Sequence, residues 1–510
     1  MVLLQDYFVS WSFLATVFVS FVAALVYVYG CRPLDRWRLR HIPGPPQEWL
    51  TGNILEHMKL GGIFKAHQRY AQKYGPIFVA RNVHTPIVMV DSPELARKVL
   101  LQNNYRCVFP NLLHGEDAKF EESTYLDTRG DKLKTVRGAW QPFFFSGSLE
   151  GFMGLMKDSA DLLVDSVELH ASKGQVMDIH GMIGAMTVQV VGTTAFGVNF
   201  HTQAADKAAF SFSMYTPPLI LLPFAAPLIK RLAHHFPDEG LSRVKAGRQV
   251  IIDIVKELLA ERRKELAVEQ NRIAKGLGKL RASFAENTGE RRGVAPGSFV
   301  DLLAFVMVLS AYETTANALA FTMYLLSKPE NSAKLAKLTA EIDVFGRERV
   351  PTFEELDKFP WLEACLREGM RIFPPVPTLT REAERDMDLG GHKVPKGTML
   401  GVAVYSMHNS PAYWQEPEKY LPERFIEGTP EYQAKPLHGY LPFGDGLRQC
   451  IGLRFAIMEA KITLIRLYQR FTFELQAEQD TLELRETITI SAANGVLVKA
   501  IPRPPPNNLF

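Results

Sequence analysis

Apolar and polar positions follow a helical period through most of the chain. Leu241–Gln270, Ser298–Ser327, Phe353–Arg371 and Gly452–Phe471 each repeat apolar residues every three to four positions, so that one helix face can be buried. Alternating, strand-like runs are short: Pro76–Ala80 with Ile87–Val90, and Gly397–Val404. This pattern predicts a mainly α domain with small β-sheets. Ser298 with Asp301, and Thr352 with Glu355, have the spacing of capping boxes that open helices. Phe373-Pro374-Pro375 closes the helix begun near Thr352, because the residue before a proline is pushed off helical backbone. Asn271–Gly297 turns polar, basic and glycine-bearing, as an exposed connector does.

One stretch is apolar all round. No charge occurs from Tyr7 to Cys31, and about 20 such residues span a hydrocarbon core. A cleaved signal peptide would have a basic start and a shorter apolar run, whereas only Asp6 precedes this one. Arg32, Arg36, Arg38 and Arg40 follow it, so the positive-inside rule places the remainder in the cytosol. Pro43-Gly44-Pro45-Pro46 cannot continue a helix. The chain thus divides into a transmembrane anchor (1–31), a basic proline-rich hinge (32–48) and one large domain (49–510). Thr216–Ile229 is uncharged but holds four prolines; it reads either as a packed loop or as a lip dipping into the bilayer.

Composition narrows the class further. At 510 residues, with 47% apolar and 22% charged, the chain is globular rather than disordered. A net charge of +3 is too balanced for a nucleic-acid binder held by phosphates. The four cysteines, Cys31, Cys107, Cys365 and Cys450, have no CxxC spacing, which excludes a zinc ribbon or disulfide scaffold and suits a reducing compartment.

Three constellations carry chemistry. Glu313-Thr314-Thr315 interrupts an otherwise apolar helix. A carboxylate beside hydroxyls and the small pair Ser310-Ala311 suggests a proton route along a groove. Glu368 and Arg371 stand one helical turn apart and, on spacing alone, read as a solvated surface pair. Phe443-Gly444-Asp445-Gly446-Leu447-Arg448-Gln449-Cys450-Ile451-Gly452 puts a cysteine at the mouth of a helix, whose free amides favour thiolate. One such thiolate suits haem better than zinc, and Arg448 can pair with a haem propionate. An inert buried cysteine is the alternative, but it explains neither the glycines nor the arginine.

With these residues in hand, the sequence resembles the cytochrome P-450 family of haem-thiolate monooxygenases. FGDGLRQCIG fits the family's FxxGxRxCxG loop, Glu368-Gly369-Met370-Arg371 its ExxR motif, Pro422-Glu423-Arg424-Phe425 its PERF segment, and Ser310–Thr315 its distal-helix motif. The resemblance implies the cytochrome P-450 fold behind a single N-terminal transmembrane helix. It implies Cys450 as axial ligand of haem b iron, Phe443 and Gly444 around the sulfur, and Arg448 and Arg137 on the propionates. Glu368, Arg371 and Arg424 become a buried ion network, and Glu313 and Thr314 a proton relay to dioxygen.

The implied activity is insertion of one oxygen atom from dioxygen into a lipophilic substrate. Electrons would come from NADPH through a reductase, or from a cytochrome b-type donor. The implied location is the endoplasmic reticulum membrane, single-pass, with the catalytic body cytosolic. The Arg106–Gly130 loop, the 216–229 lip and Val376–Thr380 would line the pocket. Lys132, Lys134, Arg137 and Lys461 would form a basic surface for the reductase. The competing activity is reductase-independent rearrangement of a peroxide by a haem-thiolate isomerase or dehydratase; a haem carrier without catalysis is a third reading. Two departures stand out. Leu133 replaces the tryptophan of the family's WxxxR motif, which removes one propionate donor, with Arg381 as a candidate substitute. Ser310-Ala311 replaces the usual small pair over the iron.

Overall fold

A computed structural model of the chain describes residues 37–48, 52–82, 85–102, 130–196, 202–203 and 296–504. The predicted anchor, the loop 106–129, the 216–229 lip and the helix at 241–270 lie outside the described residues. The main helices are α1 (Ile54–Lys59), α2 (Ile63–Tyr74), α3 (Pro93–Gln102), α4 (Gly130–Trp140), α5 (Ser146–Ser172), α6 (Ile179–Val191), α7 (Pro296–Ser327), α8 (Ser332–Phe345), α9 (Pro360–Ile372) and α10 (Leu453–Arg470). Helix α7 packs against α6, α8, α9 and α10. Its C-terminal half buries Leu319, Phe321, Met323 and Leu326 in the largest core cluster. A helix apolar all round belongs in such an interior. No helix among the described residues is long and apolar enough to cross a membrane.

Among the described residues, four small sheets flank the helices. The largest orders β1 (Ile77–Asn82), β2 (Thr85–Val90), β7 (Met399–Val402) and β4 (Leu379–Glu382), with β2 parallel to β7 and the other pairs antiparallel. A second joins β3 (Val176–Asp178), β11 (Leu497–Pro502) and β8 (Phe471–Leu475). Two hairpins complete the set: β5 (Met387–Leu389) with β6 (His392–Val394), and β9 (Leu484–Glu486) with β10 (Ile490–Ala492). The proline-rich segment lies on β1, where Val79 N–H donates to the Pro43 carbonyl at 2.8 Å. Only glycine fits at 44, since a Cβ there would stand 2.3 Å from the Val79 oxygen.

Both capping-box expectations need correction. Helix α7 opens at Pro296, two residues before Ser298; proline at the first position lacks only an N–H that would have no helical partner. The segment expected as one helix from Phe353 splits into a 3₁₀ turn, Glu354–Lys358, and α9, which starts at Pro360 for the same reason. Half of the second box survives: Thr352 N–H donates to Glu355 at 3.1 Å, while the Thr352 hydroxyl turns to Glu354.

Candidate active site

The cysteine loop is shaped by its own backbone. Gly444 and Gly446 have φ of 70° and 72°, which a side chain adopts only under strain. At Gly446 a Cβ would also stand 2.8 Å from the Leu100 carbonyl of α3, so helix and loop touch backbone to backbone. Gly444 N–H donates to Leu441 O at 3.1 Å, and Cys450 N–H to Phe443 O at 2.9 Å. These bonds fold the loop back so that Cys450 arrives just ahead of Gly452, the N-cap of α10. Cys450 is exposed and Cys365 is buried; burial pushes the Cys365 thiol far above its ordinary range.

A second tie comes from α4. Arg137 Nη1 donates to the carbonyls of Leu447 and Gln449 at 2.9 and 3.0 Å, clamping the strand of loop that ends in Cys450. Arg448 is buried in the same turn, and Leu133, in the place of the family's tryptophan, is buried on α4. Arg381 is buried on β4 with Nη1 on the Thr380 carbonyl at 2.9 Å.

Behind the loop, Glu368 and Arg371 of α9 are wholly buried, so the surface-pair reading does not hold. Arg371 Nε donates to Glu368 Oε2 at 2.9 Å, and Arg424 Nε to Oε1 at 3.2 Å. The guanidinium of Arg371 also reaches His408 O and Pro417 O at 2.7 Å, and that of Arg424 reaches Gln415 O at 2.6 Å. Both cations lie over Trp414, at 5.3 and 5.8 Å from its ring centre. One carboxylate and two forked cations thereby fix the irregular chain 414–421. Lys461, expected on a basic surface, is instead buried on α10, bridging Glu363 at 2.5 Å and Leu356 O at 3.0 Å. Lys134 is exposed on α4, while the Lys132 side chain lies outside the described residues.

On α7, Glu313 and Thr314 are half-buried and Thr315 is buried. Burial pushes the Glu313 carboxyl up; the Thr489 hydroxyl and the Arg485 guanidinium oppose that rise. The β9–β10 hairpin that supplies both groups leaves no signal in the sequence, because three-residue strands show no period. Ile490 N–H donates to Pro375 O at 2.9 Å, which sets the hairpin beside the predicted pocket segment Val376–Thr380. Helices α7 and α10 pack together, and Cys450 lies three residues before the start of α10.

The donor set discriminates between cofactors. Among the described residues no group of three or more His, Cys, Asp or Glu could hold a bare metal ion. One exposed thiol at a helix mouth, flanked by a buried arginine, suits a metal that brings its other ligands with it, as haem does.

Comparison with known proteins agrees. A family model described as Cytochrome P450 matches residues 42–498. Among curated proteins the chain is 29% identical to cytochrome P450 3A5 of Homo sapiens, over 91% of each chain. It is 28% identical to cytochrome P450 3A6 of Oryctolagus cuniculus and to cytochrome P450 3A11 of Mus musculus, over 97% of each chain.

Proposed function

The chain belongs to the cytochrome P450 family, a haem-b monooxygenase family, and from that premise we propose that it oxidises lipophilic substrates with electrons from NADPH passed on by a reductase. The observation that carries the proposal is the Cys450 thiol, exposed at the end of a loop that its own backbone bonds fold back. Haem b bound there supplies the redox chemistry of dioxygen activation. Cys450 would hold its iron through the thiolate, with Phe443 and Gly444 around the sulfur and Arg448 toward a propionate. Arg137 holds the loop from outside through two carbonyls, so its contribution to the cofactor runs through the position of Cys450.

Glu313 holds a proton and Thr314 passes it toward dioxygen. A carboxyl whose pKa burial has raised is suited to this, because it takes a proton more readily at working pH and can still give it up. The apolar uncharged run Tyr7–Cys31 supports a single-pass anchor in the endoplasmic reticulum, with the body cytosolic. Lys134, exposed on the helix that clamps the cysteine loop, supports a reductase docking on that face.

The test uses the full-length protein in membranes. Cys450→Ser is expected to abolish the thiolate signature of the reduced carbon monoxide complex, and Cys365→Ser to leave it. Wild type with added reductase should consume NADPH in step with a hydrophobic substrate. Turnover of a lipid peroxide without reductase, and no NADPH consumption with it, would favour the rearrangement activity.

A further inference from the structure

Helix α6 lies along α7 and touches it through polar groups at two places that bracket Glu313. The Thr187 hydroxyl donates to the Tyr312 carbonyl at 3.2 Å, and His180 Nε2 meets Asn317 Oδ1 at 2.8 Å. Asn317 is wholly buried, and its Nδ2 has no hydrogen-bond partner among the described residues. It stands four residues after Glu313, on the same helix face, with about 5–6 Å between Cβ atoms at that spacing. A buried amide donor left unpaired costs about 1–3 kcal/mol. The acceptor that this spacing offers it, through one water, is the Glu313 carboxyl.

The other end of the pair reaches the surface. His180 is half-buried at the start of α6, next to exposed Asp178, whose carboxylate accepts the His180 backbone N–H at 3.1 Å. Burial pushes the ring's pKa down, and Arg485 of β9 adds to that; Asp178 and the hydrogen bond to Asn317 of α7 oppose it. Arg485 acts on Glu313 in the same sense, disfavouring its proton, while burial pushes that carboxyl up. Burial thus moves the two groups in opposite directions, down for the ring and up for the acid. That contrast favours transfer from the ring to the acid.

We propose that His180 is a further residue of the proton path, feeding Glu313 from the solvent side, with Asn317 positioning its imidazole. The proposal rests on the reading of Glu313 as the acid of the relay. A solvent proton adds to Nδ1 and gives the imidazolium. The Nε2 proton then leaves, through water held at the Asn317 amide, to the Glu313 carboxylate; the ring is left neutral as its Nδ1–H tautomer and returns to the starting form by proton exchange with solvent. One proton enters, one is delivered, and no electrons move.

The experiment reads the proton itself. In the ferric holoenzyme without NADPH, a downward pH jump is followed by infrared absorption of protonated carboxyl groups. The Glu313 band is the one missing in Glu313→Gln. His180→Phe and His180→Gln are both expected to slow its rise about tenfold, less than the loss of a primary acid, and to leave its final amplitude. His180→Gln retains a hydrogen bond to Asn317 but cannot carry a proton, so it separates packing from transfer. A wild-type rate in His180→Gln would overturn the proposal. The absence in wild type of any band that Glu313→Gln removes would bring down the reading of Glu313, and the proposal with it. In turnover, the slowed variants should release more peroxide per NADPH; unchanged release in both would also count against the path.

Discussion

Glu368 and Arg371 face each other one turn apart on α9, with both side chains entirely out of water and two contacts of 2.9 Å between them. In that setting the pair is a structural commitment, because removing one partner leaves the other charged and buried. The usual cost is about 3–5 kcal/mol. Glu368→Gln, which strands both Arg371 and Arg424, should therefore lower the denaturant midpoint of the holoenzyme sharply and yield protein largely without haem. Arg371→Lys should do nearly as much, since an ammonium cannot reach Glu368, His408 and Pro417 together. A denaturation series with haem content measured at each point decides it.

Arg137 gives a milder, more local effect. Its two bonds to the loop carbonyls are partly solvated, so their loss is worth on the order of 1–2 kcal/mol rather than the full value of a buried charged bond. Arg137→Ala should release haem to an acceptor globin about tenfold faster, while the thiolate signature of the remaining holoenzyme stays. Arg137→Lys should recover part of the difference. An unchanged release rate would mean that the loop holds its shape without α4.

Glu486 makes stability depend on pH. Its carboxylate lies at the N-terminus of α2, accepting from Ile63 N–H at 2.5 Å and Phe64 N–H at 3.2 Å. Burial outweighs those bonds and pushes the carboxyl up from 4.5 to about 7. A folded value above the unfolded one means that the native state keeps a proton the unfolded chain has lost. The stabilisation is fully present below pH 4.5 and is lost as pH rises through about 7. At about 1.36 kcal/mol per unit, the effect is on the order of 3 kcal/mol. Glu486→Gln, neutral at every pH, should match wild type near pH 4.5, melt progressively higher than wild type as pH rises from 4.5 to about 7, and keep a constant advantage above that. Parallel melting curves from pH 5 to pH 8 would refute the assignment.

What the sequence could disclose depended on how local each signal was. The cysteine loop was legible because its glycines, arginine and cysteine act on one another within ten positions, and α10 begins one residue from its expected start. The partners of Arg371 and Arg424 other than Glu368 were not legible. They are carbonyls of His408 and 415–419 and the ring of Trp414, and a backbone oxygen leaves no mark in side-chain pattern. Lys461 misled because helical period says which face is apolar, not that a lysine can turn inward to Glu363. The β9–β10 hairpin, which brings Arg485 and Thr489 to Glu313 and Glu486 to α2, has strands too short for any period. Its importance lies wholly in tertiary contacts.

The relay reading makes its clearest claim on neighbouring threonines. Thr314 is half-buried beside Glu313, and Thr315 is buried on another side of α7, about 100° further round the helix. If Thr314 passes protons to dioxygen, Thr314→Ala should keep haem and substrate binding but divert NADPH electrons into peroxide. A lost acid contribution is worth about 10²–10⁴ in rate; water can stand in for one hydroxyl, so product formation should fall by about 10², the lower end. Thr315→Ala removes a buried hydroxyl instead. It should cost some thermal stability and leave the ratio of product to NADPH near that of wild type. The two substitutions delete the same atoms from adjacent residues, so a difference in coupling between them isolates position from chemistry. Equal coupling in wild type and Thr314→Ala would remove Thr314 from the path, while a loss in both variants would point to disturbed packing of α7 rather than to a proton step.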